Sequence, residues 1–178
     1  MEAKQLADEL NGFNQERKDI EGFVLEQSIE MLEGTPQSWP MAFVYNKGWH
    51  QGVIGIVAGK LKERYNLPAF VMSIEDDEVK GSARSIPGVD LGALIIAAKE
   101  KGVLTKGGGH TMAAGFSLTE AQIPAFRTFA GEYIARSLNN TRPHPVINID
   151  LSLSLPAANA GLCSELERLK PFGTGNPE

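Results

Sequence analysis

Three short stretches gather residue types that hold anions: Gly48-Trp49-His50, Ser82-Ala83-Arg84-Ser85 and Lys106-Gly107-Gly108-Gly109-His110. Arg84 carries a planar guanidinium suited to gripping a phosphate through two parallel hydrogen bonds, and Ser82 adds a neutral donor two residues away. Gly107, Gly108 and Gly109 lack Cβ atoms, so the chain there can turn tightly and bring a bound group close to backbone N–H groups that cradle an anion. His110 adds a donor whose charge changes near neutral pH. Trp49 and His50 precede an apolar helical stretch, at the end where free N–H groups and the positive dipole pole favour an anion. Phosphate binding is the chemistry the three stretches share. Each also has a plainer reading: a sharp turn into a strand for the glycines, an exposed strand face with Arg84 paired to a nearby acid, and a core Trp49 with a helix-capping His50.

The pattern around these residues is that of an α/β domain. Met41–Tyr45 reads as a buried strand. Asn46 to His50 then turns into a helix whose apolar face is Val53, Ile54, Ile56, Val57 and Leu61, stopped by Asn66-Leu67-Pro68. Ala69–Ile74 is a second strand, Glu75-Asp76-Asp77-Glu78 a solvated hairpin turn, and Val79–Ile86 a third strand. Alternation along that strand puts Lys80, Ser82 and Arg84 on one face and Val79, Gly81, Ala83 and Ser85 on the other. Asp90 is an N-cap for a helix buried through Leu91, Leu94, Ile95 and Ala98, and Gly102 stands at its C′ position. The glycine stretch follows as a loop, then a strand from Met112 to Leu118. A last helix carries Ile123, Phe126, Phe129, Tyr133, Ile134 and Leu138 at helical spacing, a core stripe rather than a cofactor site.

The flanks differ in character. Residues 3–33 read as one long helix, with Leu6, Leu10, Phe13, Ile20, Val24 and Met31 on a heptad-like stripe opposite an acidic face, and Gly34-Thr35-Pro36 at its end. It is expected to act as a connector. The expected divisions are a connector helix over 1–34, a domain over 38–138, a linker over 139–145 and a partial domain over 146–178. That last part holds an alternating stretch from Val146 to Leu155 and a short helix from Cys163 to Leu169, too little to close a core.

Composition narrows the class of protein. Of 178 residues, 42% are hydrophobic and 22% charged, as in a chain that buries a real core. No apolar run is long enough to cross a bilayer, Met1-Glu2-Ala3-Lys4 opens no signal peptide, and the single Cys163 allows no internal disulfide; a cytoplasmic protein is expected. The net charge of −5 is uneven: residues 1–33 carry −6, residues 47–106 carry +2 and residues 107–178 carry −1. An anionic partner can therefore meet the middle of the chain. The sequence holds no Walker loop, no Gly-x-Ser-x-Gly elbow and no Asp-x-Asp or Asp-His-His cluster for divalent metals.

Gly48-Trp49-His50-Gln51-Gly52-Val53-Ile54-Gly55-Ile56-Val57-Ala58, Ser82-Ala83-Arg84-Ser85 and Gly107-Gly108-Gly109-His110-Thr111-Met112-Ala113-Ala114-Gly115 resemble, in order, three motifs of the DHH-associated domain of the RecJ family of single-stranded-DNA-specific 5′-to-3′ exonucleases. The long helix resembles that family's connector between core domains, and Leu169 to Pro177 resembles the lead-in to its oligonucleotide-binding fold. The resemblance implies an α/β fold: a DHH-associated domain with a mixed central sheet flanked by helices, preceded by the connector helix and followed by the truncated start of an oligonucleotide-binding-fold domain. It implies single-stranded DNA as partner, other DNA-repair proteins as further partners, a monomer, and no membrane. Ser82, Arg84, Ser85, Gly107, Gly108, Gly109, His110, Trp49 and His50 would bind substrate, with His110 an accessory near the scissile bond. The family's DHH domain, which carries its manganese or magnesium ligands, has no counterpart in the sequence, so this chain is expected to bind no metal and to be inactive alone. Two other readings stay open: a DHH-family phosphodiesterase acting on short oligonucleotides or cyclic dinucleotides, and a stand-alone nucleic-acid-binding module.

Overall fold

A computed structural model describes residues 2–34, 40–144, 149, 151–173 and 176. The chain forms two compact units, Met1–His144 and Pro145–Glu178. In the first, the elements run α1 (Glu2–Glu33), β1 (Ala42–Lys47), α2 (Ile54–Tyr65), β2 (Ala69–Glu75), β3 (Glu78–Arg84), α3 (Leu91–Glu100), β4 (Lys106–His110), β5 (Ala113–Thr119) and α4 (Ile123–Ser137). The strands form one mixed sheet in the order β1-β2-β3-β5-β4. β1 and β2 are parallel, joined by the α2 crossover, and every other pairing is antiparallel.

Burial follows from alternation. Phe43, Phe70, Met72, Ile74, Val79, Phe116 and Leu118 face α3 and α4 and build one core with Leu91, Leu94, Ile95, Phe126, Ala130 and Ile134. Phe43, Phe70, Phe116 and Phe126 form its centre, with ring centroids 4.9–6.1 Å apart; each such side chain contributes about 1.5–3 kcal/mol by leaving water. On the opposite face Ala42, Val44, Ala69 and Val71 pack against Val57, Ala58 and Leu61 of α2 and Val24 and Leu32 of α1. β1 and β2 are therefore covered on both sides and read as continuous apolar runs.

Several expected devices are present. Asp90 accepts the Ala93 N–H at 3.0 Å and caps α3, and Gly102 takes φ 71° just past its end. A capping box not predicted from the sequence precedes α4, where Gln122 Oε1 accepts the Thr119 N–H at 2.8 Å. No helix of the described residues is long and apolar enough to cross a membrane.

Four expectations change. The glycine stretch is not a loop: Lys106–His110 is the edge strand β4, paired with β5 from Lys106↔Ser117 to His110↔Ala113. The long helix buries Glu21, Val24, Ser28 and Leu32 rather than Met31, while Leu6, Leu10 and Phe13 are more than half exposed. A 3.6-residue helix drifts by about 20° per heptad against a 3.5-residue stripe, so one side cannot stay buried over 32 residues. α2 begins only at Ile54, so Val53, expected on its apolar face, is its N-cap residue instead, while Trp49 and His50 lie in the turn before the helix as expected. In the second unit, residues 146–148 and 150 of the expected strand lie outside the described residues, and 149 and 151–154 are exposed with no strand. The short helix there is α5, Ala160–Glu167, capped by Asn159 through the Leu162 N–H.

Candidate nucleic-acid interface

Helices cover β1 and β2 on both faces, but α2 reaches only to β3, at Gly55 against Ser82 and Arg84. Among the described residues the α2-side face is left open over β5 and β4, with the half-buried Lys80, Ser82 and Arg84 of β3 along its border beside α2. Strand register sorts its residues into three rows: Lys80, Ser117 and Lys106; Ser82, Gly115 and Gly108; and Arg84, Ala113 and His110. The rows make a shallow floor of glycine, alanine and serine with Lys80, Lys106 and Arg84 at three corners and His110 at the fourth. Arg84 donates from Nη1 to Ser82 Oγ at 3.2 Å and to the Ala83 carbonyl at 3.0 Å. None of the ion pairs among the described residues engages Arg84, so the reading in which a neighbouring acid neutralises it does not hold. Its guanidinium is half-buried and its charge is uncompensated.

One side of the floor is walled by the turn before α2 and by the start of α2 itself. An ideal Cβ on Gly55 would stand 3.2 Å from Ser82 Oγ and 3.3 Å from Arg84 Nη2, so glycine lets these side chains lie against the first turn of the helix. That turn has no acidic residue and no side-chain cap, so the helix's positive pole adds to the arginine. His50 is exposed; its Nδ1 accepts the Gly52 N–H at 3.1 Å, which leaves Nε2 as the donor of the neutral ring. His50 and Lys80 line a cleft of about 580 Å³ with Gly48, Trp49, Gln51, Ser73, Ile74 and Glu75.

The turn is anchored from below. The Trp49 indole N–H donates to Gln27 Oε1 on α1 at 2.7 Å, and the Ser73 hydroxyl donates to the Trp49 carbonyl. Trp49 is only 3% exposed, so no base can stack on it. Its place as a substrate contact is corrected to that of a core anchor that sets the position of His50. Ser85 is corrected likewise: it is fully buried, and its hydroxyl donates to the Val89 carbonyl at 2.7 Å, shaping the exit from β3.

The three successive glycines divide by face. None has a positive φ, so the turn-type cradle of backbone N–H groups is not formed. A Cβ on Gly107 would lie 2.6 Å from Ile95 Cγ2, and one on Gly109 2.4 Å from the Ala113 carbonyl oxygen. These two are glycines for packing, on the face turned to α3. A Cβ on Gly108 would meet nothing within 4 Å, and one on its cross-strand partner Gly115 only the Gly81 carbonyl oxygen at 4.0 Å. Nothing inside the protein requires those two to be glycine.

The end of the face is fixed by the Thr111-Met112 turn of the β4–β5 hairpin. The Ser85 N–H donates to the Met112 carbonyl at 2.9 Å, the Leu91 N–H to the Thr111 carbonyl at 3.1 Å, and the Thr111 hydroxyl to Asp90 Oδ2 at 3.3 Å. Arg84 and His110 are thereby held at the two ends of one cross-strand row.

Lys80, Lys106, Ser117 and Gly115 were not among the predicted site residues. Lys80 was already visible on the strand face, and a two-residue hairpin at Thr111-Met112 would have placed the other three by register. As for metals, no group of three or more His, Cys, Asp or Glu side chains is gathered among the described residues. The donors of the open face are lysine, arginine, serine and the single His110, a set that suits an anion and offers a divalent cation no carboxylate.

Residues 39–136 match the DHHA1 domain. The chain belongs to the DHHA1 domain family. Beyond the domain, this DHHA1 chain is 34% identical over 179 residues to the single-stranded-DNA-specific exonuclease RecJ of Bacillus subtilis (strain 168), a match that covers 99% of the chain and 22% of the relative. Crystal structures of RecJ from Thermus thermophilus in complex with Mg2+ and with Mn2+ match 99% of the chain, at TM-scores of 0.82 and 0.80 and identities of 32% and 33%. The DHHA1 chain spans 22–27% of the length of these relatives.

Proposed function

We propose that this DHHA1 chain supplies the single-strand-binding wall of a RecJ-type 5′-to-3′ exonuclease that works in the cytoplasm. On this reading residues 1–34 are the connector helix, 38–138 the binding domain, 139–145 a linker and 146–178 the start of an oligonucleotide-binding-fold domain. The observation that carries it is the exposed face along β3, β5 and β4, where Arg84, outside the ion pairs among the described residues, stands beside Ser82 and across from His110 over a floor of glycine and alanine. A phosphodiester laid on that floor receives the forked guanidinium, the Ser82 hydroxyl and the His110 ring, while the start of α2 adds its positive pole.

The role of these residues is to bind and to align. Holding the backbone rigidly turns the attack on a scissile bond into a step between groups already in place. The divalent metal that activates water in such a reaction finds no donor set among the described residues, so hydrolysis requires the metal-bearing DHH domain joined to this one. DNA-repair proteins are the partners expected of such an enzyme.

Fluorescence anisotropy with 5′-phosphorylated, 3′-labelled oligonucleotides tests the reading. The single strand is expected to bind more tightly than the duplex. Arg84→Ala is expected to weaken single-strand binding and to lower the slope of log K against log salt by about 0.7, the release of one phosphate's counterions. An unchanged affinity and slope in Arg84→Ala overturns the reading.

A further inference from the structure

We infer that the row Lys80, Ser117 and Lys106 is a second phosphate subsite, separate from the row that holds Arg84 and His110. The inference rests on the reading of the open face as a single-strand site. Register sets the geometry: Lys80 pairs with Ser117 on β5, and Ser117 with Lys106 on β4. With strands about 4.8 Å apart, the two lysines stand about 10 Å apart and flank a hydroxyl. Their flexible stems can converge on one anion above Ser117.

The charges in this row are nearly free. Lys80 Nζ is 3.9 Å from Glu78 Oε2, with both side chains about half exposed, a pair that contributes little. Of the other acids at this end, Glu75 accepts from Gln51 Nε2 at 2.9 Å, and Asp76 and Asp77 of the β2–β3 turn form none of the ion pairs among the described residues. Lys106 takes part in none of the ion pairs among the described residues. Lys106 is exposed, and the half-exposed Lys80 also lines the cleft that holds His50.

The middle row says what joins the two ends. Lys80 and Arg84 stand four residue steps apart along β3, about 13 Å, too far for the two rows to serve one phosphate. The intervening row ends in Gly115 and Gly108, where added Cβ atoms would meet almost nothing within the protein. A face that merely needed solubility would carry side chains there. A bare saddle between two cationic rows fits a sugar–phosphate chain passing over it, one phosphate at each end and at least one nucleotide step between them.

The test compares strand lengths, with binding of labelled thymidine dinucleotide and of a long oligothymidylate measured by anisotropy across a salt series. The Lys80→Ala/Lys106→Ala double variant is expected to bind the long strand about tenfold more weakly, with a slope lower by about 1.4 for two lost lysine contacts. It is expected to bind the dinucleotide as the unchanged chain does, because one row suffices for so short a ligand. Arg84→Ala weakens both. Lys80→Gln/Lys106→Gln, which keeps the stems, is expected to repeat the result and guards against a folding defect. If the double variants bind the long strand normally while Arg84→Ala does not, the second subsite is wrong and the single-strand reading stands. If the dinucleotide is weakened as much as the long strand, the rows are not separate subsites. If Arg84→Ala is also silent, the single-strand reading falls and the subsite with it.

Discussion

The two faces of β3, β5 and β4 are made from alternate residues of the same strands, and they follow different rules. Toward α3 and α4 the strands present Val79, Ala83, Ala114, Phe116 and Leu118, and glycine appears where bulk has no room: a Cβ on Gly81 would stand 2.2 Å from the Phe116 ring. Toward the open side they present lysine, serine, arginine and histidine, and glycine appears where bulk would have ample room. The same residue type thus records two kinds of neighbour. On the packed face the neighbour is another part of the protein; on the open face the proposed neighbour is a bound strand.

The contrast can be broken most forcefully from the packed side. Phe126→Ala removes a fully buried ring in contact with Phe43, Phe70 and Phe116. It is expected to cost about 3–5 kcal/mol in urea unfolding while leaving the single-strand affinity of the folded fraction unchanged. A loss of affinity in molecules that remain folded would mean the two faces are not separable.

A sharper comparison comes from adjacent glycines. Gly107→Ala forces a methyl against Ile95 and is expected to destabilise by about 1–3 kcal/mol. Gly108→Ala, one residue on and facing the other way, is expected to stay within about 0.5 kcal/mol of the unchanged chain, yet to bind single strands several-fold more weakly. Thermal melting and anisotropy on the same samples check both. Normal binding by Gly108→Ala would show that the bare floor is not used.

The smallest effect concerns α1. Hydrogen bonds from Lys60 first and Arg17 second hold the Glu21 carboxyl below its ordinary range, against an opposing push from burial. A carboxyl lowered in the folded state contributes stability above its unfolded pKa and loses it as pH falls through the lowered value. The α1–α2 contact is therefore expected to weaken in acid, seen as a shift of the Trp49 indole resonance, because Gln27 of α1 holds that group. Glu21→Gln is expected to flatten this acid dependence.

How much the sequence disclosed depended on which force fixed each element. Period-2 alternation placed Lys80, Ser82 and Arg84 on one face, and capping chemistry placed Asp90 and Gly102, because both signals are local. β4 was hidden because glycine has low intrinsic strand preference, and its extended form comes from pairing with β5 and packing under α3. The burial of Trp49 and Ser85 depends on partners far along the chain or on the bend after β3, neither of which leaves a periodic trace. The uncovered face was invisible for the same reason: it follows from α2 stopping at β3.

The Thr111-Met112 turn makes a braced corner. Its bonds reach the exit of β3 through Ser85, the start of α3 through Leu91, and the α3 cap through Asp90. A force applied at His110 is shared at once by a strand, a helix and a hairpin, and no single hinge exists for it to bend. On the proposed reading, a single strand laid across the face would meet a fixed edge beside Arg84.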